Sequence, residues 1–387
     1  MTDPANPAPV EASRTRGIAF VLAVALSTVL LVLGASLLGD RLLGDRFDVV
    51  RWERDTVAGK WLHLLGARWR DDPSPDDAIA RYFAAPLDSA DRLHLEGAVE
   101  AALNGRIDAV ARAHGLAGRV ALPGTVFPPV NLELTQPPRV LVISPRSVIE
   151  RTSTELLRPD LTATDAARIE RDTESRNSEQ SALVVGSGGV ATYPAIVANG
   201  STYADTLATA AHEWTHHYLE FYPLGLAYFS SRDATAINET VADIVGDELG
   251  TEILARWGDP TRPAPTRTPT PSATPRARVD ANAVLRDLRH EVDALLAAGK
   301  IEDAEARMEA ARVQLNEAGY RIRRLNQAYF AWYGSYAARP DAVDPLGAQL
   351  REIRQRAGSL TAFLEVVRVA SSRADIVAAL EWLRARG

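Results

Sequence analysis

ATAAHEWTHHYLEFY, residues 208–222, and INETVADIVGDEL, residues 237–249, are the two stretches on which the fold reading turns. Both have helical texture, the first belonging to a helix from about Tyr203 to Phe221 and the second to one from about Ala236 to Arg256. His212 and His216 stand four apart, so one helical face carries both imidazoles toward a single ion, and Glu213 points beside that ion toward a bound water. On the second helix, Glu239 and Asp243 are also four apart. A catalytic zinc takes three protein ligands and keeps a position open, and in a chain without cysteine a carboxylate such as Glu239 is the natural third ligand. Asp243, one turn further, is placed to accept the second ring N–H of a ligand histidine and hold its tautomer. The plain alternative is a pair of helix histidines that bind no metal.

Around these stretches lies a chain of 387 residues, 46% hydrophobic and 24% charged, with no cysteine. That mixture excludes wholesale disorder, and the missing cysteines exclude disulfide scaffolds, thiolate metal sites and thiol nucleophiles. A net charge of −7 argues against a nucleic-acid partner, which would need a basic surface.

HEWTH at 212–216 followed by NETVAD at 238–243 resembles the HExxH plus NExxxD pattern of the gluzincin metallopeptidases, the thermolysin-like group. The resemblance covers about 50 residues, ending at Asp247. It implies a zincin-like α+β fold, with a small, mostly antiparallel sheet over the HExxH helix and one zinc held by His212, His216 and Glu239. Glu213 would then be the general base that activates a zinc-bound water to hydrolyse peptide bonds. It also implies an edge strand, within Leu183–Tyr193, that receives the substrate backbone. Glycines at 186, 188 and 189 permit close approach there, although a simple turn between two strands reads equally well. The chain departs from the pattern downstream, where a histidine or tyrosine should stabilise the oxyanion. His290 reads as a surface residue and Tyr329 and Tyr336 as packing, while Tyr333, Tyr222 and Tyr228 stay open. His217 points about 100° from His216 and reads as a surface or supporting group. Trp214, Tyr218, Phe221 and Tyr222 read as the packed side of the motif helix, and Asp247 and Glu248 as solvated.

The rest of the chain organises around this core. After a tail of residues 1–16, GIAFVLAVALSTVLLVLGASLLG at 17–39 carries no ionisable group and as a helix spans roughly 34 Å, enough for about 30 Å of hydrocarbon. It reads as a transmembrane anchor in preference to a cleaved signal peptide, whose apolar run is shorter. Five basic residues follow the span and two precede it, but large domains translocate regardless of nearby charge, so the catalytic domain is expected outside the cytoplasm. Residues 48–120 read as helical, broken at Asp72-Pro73-Ser74-Pro75. Residues 121–257 form the peptidase core, with strands expected in VNLEL, RVLVIS, SALVVGS and ATYPAIV, and a helix capped by Thr162 or Thr164. A Pro/Thr-rich linker covers 258–279. Residues 280–387 read as a helical hairpin reversing at Ala298-Gly299-Lys300, with a heptad seam from Ile301 through Met308, Leu315, Ile322 and Tyr329 to Tyr336, followed by shorter helices.

The expectation is therefore a membrane-anchored zinc metallopeptidase acting on peptides or proteins. The alternative is a non-catalytic, membrane-tethered zinc-binding scaffold whose hairpin binds a partner. Glu213 separates the two, because a structural site needs ligands but no base. An intramembrane protease is excluded, since the motif helix carries Asp205, Glu213 and Glu220 and no long apolar run surrounds it.

Overall fold

The computed structural model describes residues 44–56, 74–116, 126–262, 279–334, 336–337 and 342–386. The chain divides into two units, Met1–Arg70 and Asp71–Gly387. Of the first, residues 44–56 are described, with a helix at 49–56. Among the described residues no helix is long and apolar enough to cross a membrane, and the 17–39 segment lies outside them.

The second unit is α+β. It opens with α1 (Pro75–Ala84), started by Ser74, whose hydroxyl accepts from the Asp77 N–H ahead of Pro75, and with α2 (Ala90–Ala113), capped by Ser89. The four apolar segments expected to form one sheet instead enter two three-stranded sheets. In the first, β1 (Leu132–Thr135) pairs parallel with β6 (Ala195–Ala198), and β6 pairs antiparallel with β5 (Gly189–Val190). In the second, β2 (Arg139–Pro145) lies between β3 (Ser153–Leu157) and β4 (Gln180–Gly186), both antiparallel to it. Pro137 and Pro138 separate β1 from β2, and the two strands go to different sheets.

Sequence alternation explains how the second sheet is covered. Val140, Val142, Leu183 and Val185 face α9 (Gln327–Tyr333) through Ala328 and Trp332, while Leu141, Ala182 and Val184 face Leu157, Leu161 and α3 (Ala163–Arg176). Thr162 caps α3 in a capping box with Asp165.

The largest core joins α1, α2 and the first sheet to α4 (Tyr203–Leu219), α6 (Arg232–Trp257) and the C-terminal helices α10 (Leu346–Arg356), α11 (Leu360–Val367) and α12 (Arg373–Arg384). A short helix, α5 (Pro223–Leu226), connects α4 to α6. Leu285, Leu288, Val292 and Leu296 of α7 (Ala281–Ala297) pack on Ala304, Met308, Ala311 and Leu315 of α8 (Ile301–Glu317), and the chain reverses at Gly299 with φ 73°.

The heptad seam stops earlier than its periodicity suggests. Helix α8 ends at Glu317, and Gly319, at φ 96°, takes the chain out of helical geometry. Ion pairs then hold the following segment against α3, Arg323 with Glu170 at 2.8 Å and Arg324 with Glu174 at 2.7 Å. Tyr329 packs beside the second sheet and Tyr336 leaves the seam altogether.

Candidate metal centre

The two helices that carry the motif residues meet closely because α6 presents glycine to α4. A Cβ on Gly246 would sit 2.6 Å from the Ala208 carbonyl oxygen and 3.1 Å from His212 Cβ. Thr202 and Ser231 start these helices by accepting the Asp205 and Ala234 N–H groups.

At this crossing His212 Nε2 and His216 Nε2 lie 3.0 Å apart, and Glu239 Oε2 lies 3.5 Å from the first and 3.7 Å from the second. An ion held tetrahedrally at about 2.0–2.2 Å from each donor needs donors about 3.3–3.6 Å apart, a spacing these three separations bracket. The outer ring nitrogens are also engaged: His216 Nδ1 lies 2.7 Å from Asn238 Oδ1 and His212 Nδ1 lies 3.0 Å from Asp243 Oδ1. Both oxygens are acceptors, so each Nδ1 carries a ring proton; His216 Nε2 turns its lone pair inward, and His212 Nε2 does so once a metal ion takes the place of the proton it shares with Glu239. Two imidazole lone pairs and a carboxylate oxygen share this volume only with a cation among them, a proton or a metal ion. Two imidazole nitrogens and one carboxylate oxygen, without a thiolate, fit zinc.

The electrostatics follow from burial and from these contacts. Burial works against a charged His212, but the contacts with Asp243 and Glu239 hold its pKa well above the ordinary value. His216 is pushed down to about 4, mainly by burial, and stays neutral. Burial also opposes the charge on Glu239, yet His212, His216 and the Tyr228 hydroxyl together bring it down to about 2. The Tyr228 hydroxyl donates to Glu239 Oε1, and its pKa is raised well above normal by burial and by that carboxylate.

Glu213 is buried at 6% exposure, one position along from His212, and no hydrogen bond or ion pair engages its carboxyl group among the described residues. Burial raises its pKa to about 7 against the pull of His212. It rests on β5, where a Cβ on Gly189 would stand 2.5 Å from Glu213 Oε1. Strand β5 is the edge of its sheet, and both it and the motif helix line a cleft of about 1270 Å³.

Several sequence expectations change here. Tyr336, read as packing, faces the cleft with its ring 6.4 Å from that of His212, and burial keeps it protonated. Of the open tyrosines, Tyr228 and Tyr333 line the cleft, while Tyr222 stacks on Tyr218 and Arg368. His217 is buried and packed edge-on to Tyr193 at 5.4 Å, and burial lowers its pKa. Trp214 and Tyr218 are buried, whereas Phe221 is 58% exposed. Glu248 forms a two-point ion pair with Arg354, at 2.6 and 2.7 Å. Asp247 is exposed at the cleft wall and His290 is exposed on α7. Asn238 is the residue that sequence reasoning passed over. It sits inside the NETVAD segment, but its role depends on which histidine it meets across the helix pair. Comparison with protein-family models, curated proteins and solved structures finds no match to this chain.

Proposed function

We propose that this chain is a zinc metallopeptidase of the gluzincin type, tethered to a membrane by residues 17–39 with its catalytic domain outside the cytoplasm. The observation that carries the reading is the convergence of three donor atoms, His212 Nε2, His216 Nε2 and Glu239 Oε2, beside a buried and unengaged Glu213. Zinc, when bound, supplies Lewis acidity to water and to a scissile carbonyl.

The remaining roles fall to the protein's own groups. The Glu213 carboxylate takes a proton from the attacking water and returns it to the leaving amine nitrogen. Asn238 and Asp243 keep the two imidazoles in the ligand tautomer. The free edge of β5 accepts an extended peptide as an added strand, close to Glu213 because Gly189 has no side chain there. Tyr336 supplies a protonated hydroxyl for the developing oxyanion.

Metal analysis of the full-length protein together with hydrolysis of a peptide library tests this reading. One zinc per chain is expected, with His216→Ala losing it. Glu213→Gln is expected to keep the metal and lose roughly 10²–10⁴-fold in peptide turnover. Full metal content with no peptide hydrolysis by the unmutated protein would overturn the peptidase reading in favour of a scaffold. Protection of the C-terminal domain from protease added to intact cells would overturn the topology.

A further inference from the structure

Among the described residues the cleft that holds the candidate metal centre is lined by four arginines, and three of them are paired with carboxylates. Arg232 meets Glu150, Arg289 meets Asp293 at 2.8 Å, and Arg373 meets Asp344 at 2.6 Å and Asp233 at 2.9 Å. Arg151 differs. Among the described residues no carboxylate lies within 4.0 Å of it and no hydrogen bond engages its guanidinium. It is half-buried just before β3, with its guanidinium 5.7 Å from the centroid of the Trp332 ring. It lines the same cleft as Tyr228 and Tyr336, the two phenols beside the metal-ligand triad.

A guanidinium placed against an aromatic ring is oriented by its face and keeps its edge N–H donors for another partner. Those donors match a carboxylate in two-point geometry better than any other group a peptide carries. The neighbouring arginines are neutralised by the protein's own acids, so among the described residues Arg151 is the cleft arginine left for an incoming anion.

We propose that Arg151 is a specificity-determining residue that binds a carboxylate of the peptide substrate. The inference rests on the peptidase reading and narrows it to substrates with an anionic group within reach of the scissile bond. Two sources share this chemistry, the free C-terminal carboxylate and an acidic side chain.

Three peptides of otherwise identical sequence distinguish them: one with a free C-terminus and no acidic residue, one with an amidated C-terminus and no acidic residue, and one amidated and carrying glutamate. Turnover is measured with the unmutated full-length protein, and binding by calorimetry with Glu213→Gln. The expected result is a preference of about 10- to 100-fold in both kcat/KM and affinity for one carboxylate-bearing peptide over the neutral one, the size of a charge-assisted hydrogen-bonded contact. Preference for the free C-terminus marks carboxypeptidase-like recognition, and preference for glutamate marks side-chain recognition. In Arg151→Gln the ratio collapses to about twofold or less of unity, and in Arg151→Lys, which keeps the charge without the fork, it falls between. Zinc content is measured for each variant, so that a chain that fails to fold is recognised and the lysine variant decides. Hydrolysis of all three peptides at equal efficiency, or a preference that survives Arg151→Gln, overturns the carboxylate proposal while leaving the peptidase reading standing. Absence of both binding and hydrolysis for all three peptides overturns the peptidase reading and this inference with it.

Discussion

Replacing Gly246 with alanine probes the feature on which the whole centre depends, the close crossing of α4 and α6. The added Cβ would meet the Ala208 carbonyl oxygen at 2.6 Å, where ordinary contact begins at 3.4 Å, so the helices must part locally by about 0.8 Å. His212 backs this contact, with its Cβ at 3.1 Å, and Glu239 and Asp243 ride on the helix that moves. Donor separations of 3.5 and 3.7 Å then open past what one ion bridges, since metal sites tolerate only about 0.2 Å in ligand distance. Overpacking of this kind costs about 1–3 kcal/mol, and the helix-propensity gain of alanine over glycine returns less than about 1 kcal/mol. Gly250 supplies the control, because its Cβ would meet Ala208 at 3.3 Å or more, within what a small adjustment absorbs. Gly246→Ala is therefore expected to lose at least tenfold in zinc affinity and to unfold at lower denaturant, with Gly250→Ala close to the parent in both. Zinc titration against a competing chelator, with denaturant melts of the metal-free proteins, measures the two effects. Parental affinity and stability in Gly246→Ala would refute the claim that glycine sets the helix approach.

Three further outcomes are expected. Asn238→Ala removes the acceptor of His216 Nδ1 and should weaken zinc binding by about 10- to 100-fold while leaving all three ligands in place, read by the same chelator competition. Gly189→Ala drives a methyl group to within 2.5 Å of Glu213 Oε1 and 2.6 Å of the Ile196 carbonyl oxygen, so peptide turnover should fall far more than zinc content. Asp344 supplies the pH test: burial pushes its pKa up, but the hydrogen bonds from Arg373 and the Leu346 N–H outweigh burial and hold it below the ordinary value. A lowered carboxylate pKa stabilises the fold above the unfolded value of about 3.9, and the contribution is lost as pH falls through the folded value. Asp344→Asn should therefore cost about 1 kcal/mol at neutral pH, discounted for the partial exposure of Arg373, and the gap to the parent should close as acid is added below about pH 4, followed by denaturant melts across that range.

Much of the local architecture was legible in the chain because its signals act over a few residues. A helix starts at Pro75 directly after the break read at Asp72-Pro73-Ser74-Pro75, Thr162 is the one of the two candidate caps that starts α3, and Gly299 reverses the hairpin. The alternation in RVLVIS and SALVVGS identified strands but not the partition into two sheets, which depends on pairings between residues more than 30 apart. The heptad seam misled beyond Leu315, since a period of seven registers spacing but not the left-handed turn at Gly319 that ends the helix.

The candidate site divides along the same line. His212 and His216 share a face because an α-helix repeats every 3.6 residues, which makes that pairing a local property of HEWTH, and Glu239 with Asp243 repeats the argument one helix later. Tertiary structure alone decides that the two pairs meet, that Asn238 faces His216, that Gly189 lies under Glu213, that Tyr336 turns into the cleft, and that Arg151 meets no carboxylate there among the described residues. Each of these is a distance between elements far apart in the chain, set by how closely Gly246 lets two helices approach and how two sheets flank them. Periodicity along one element carries no record of such distances.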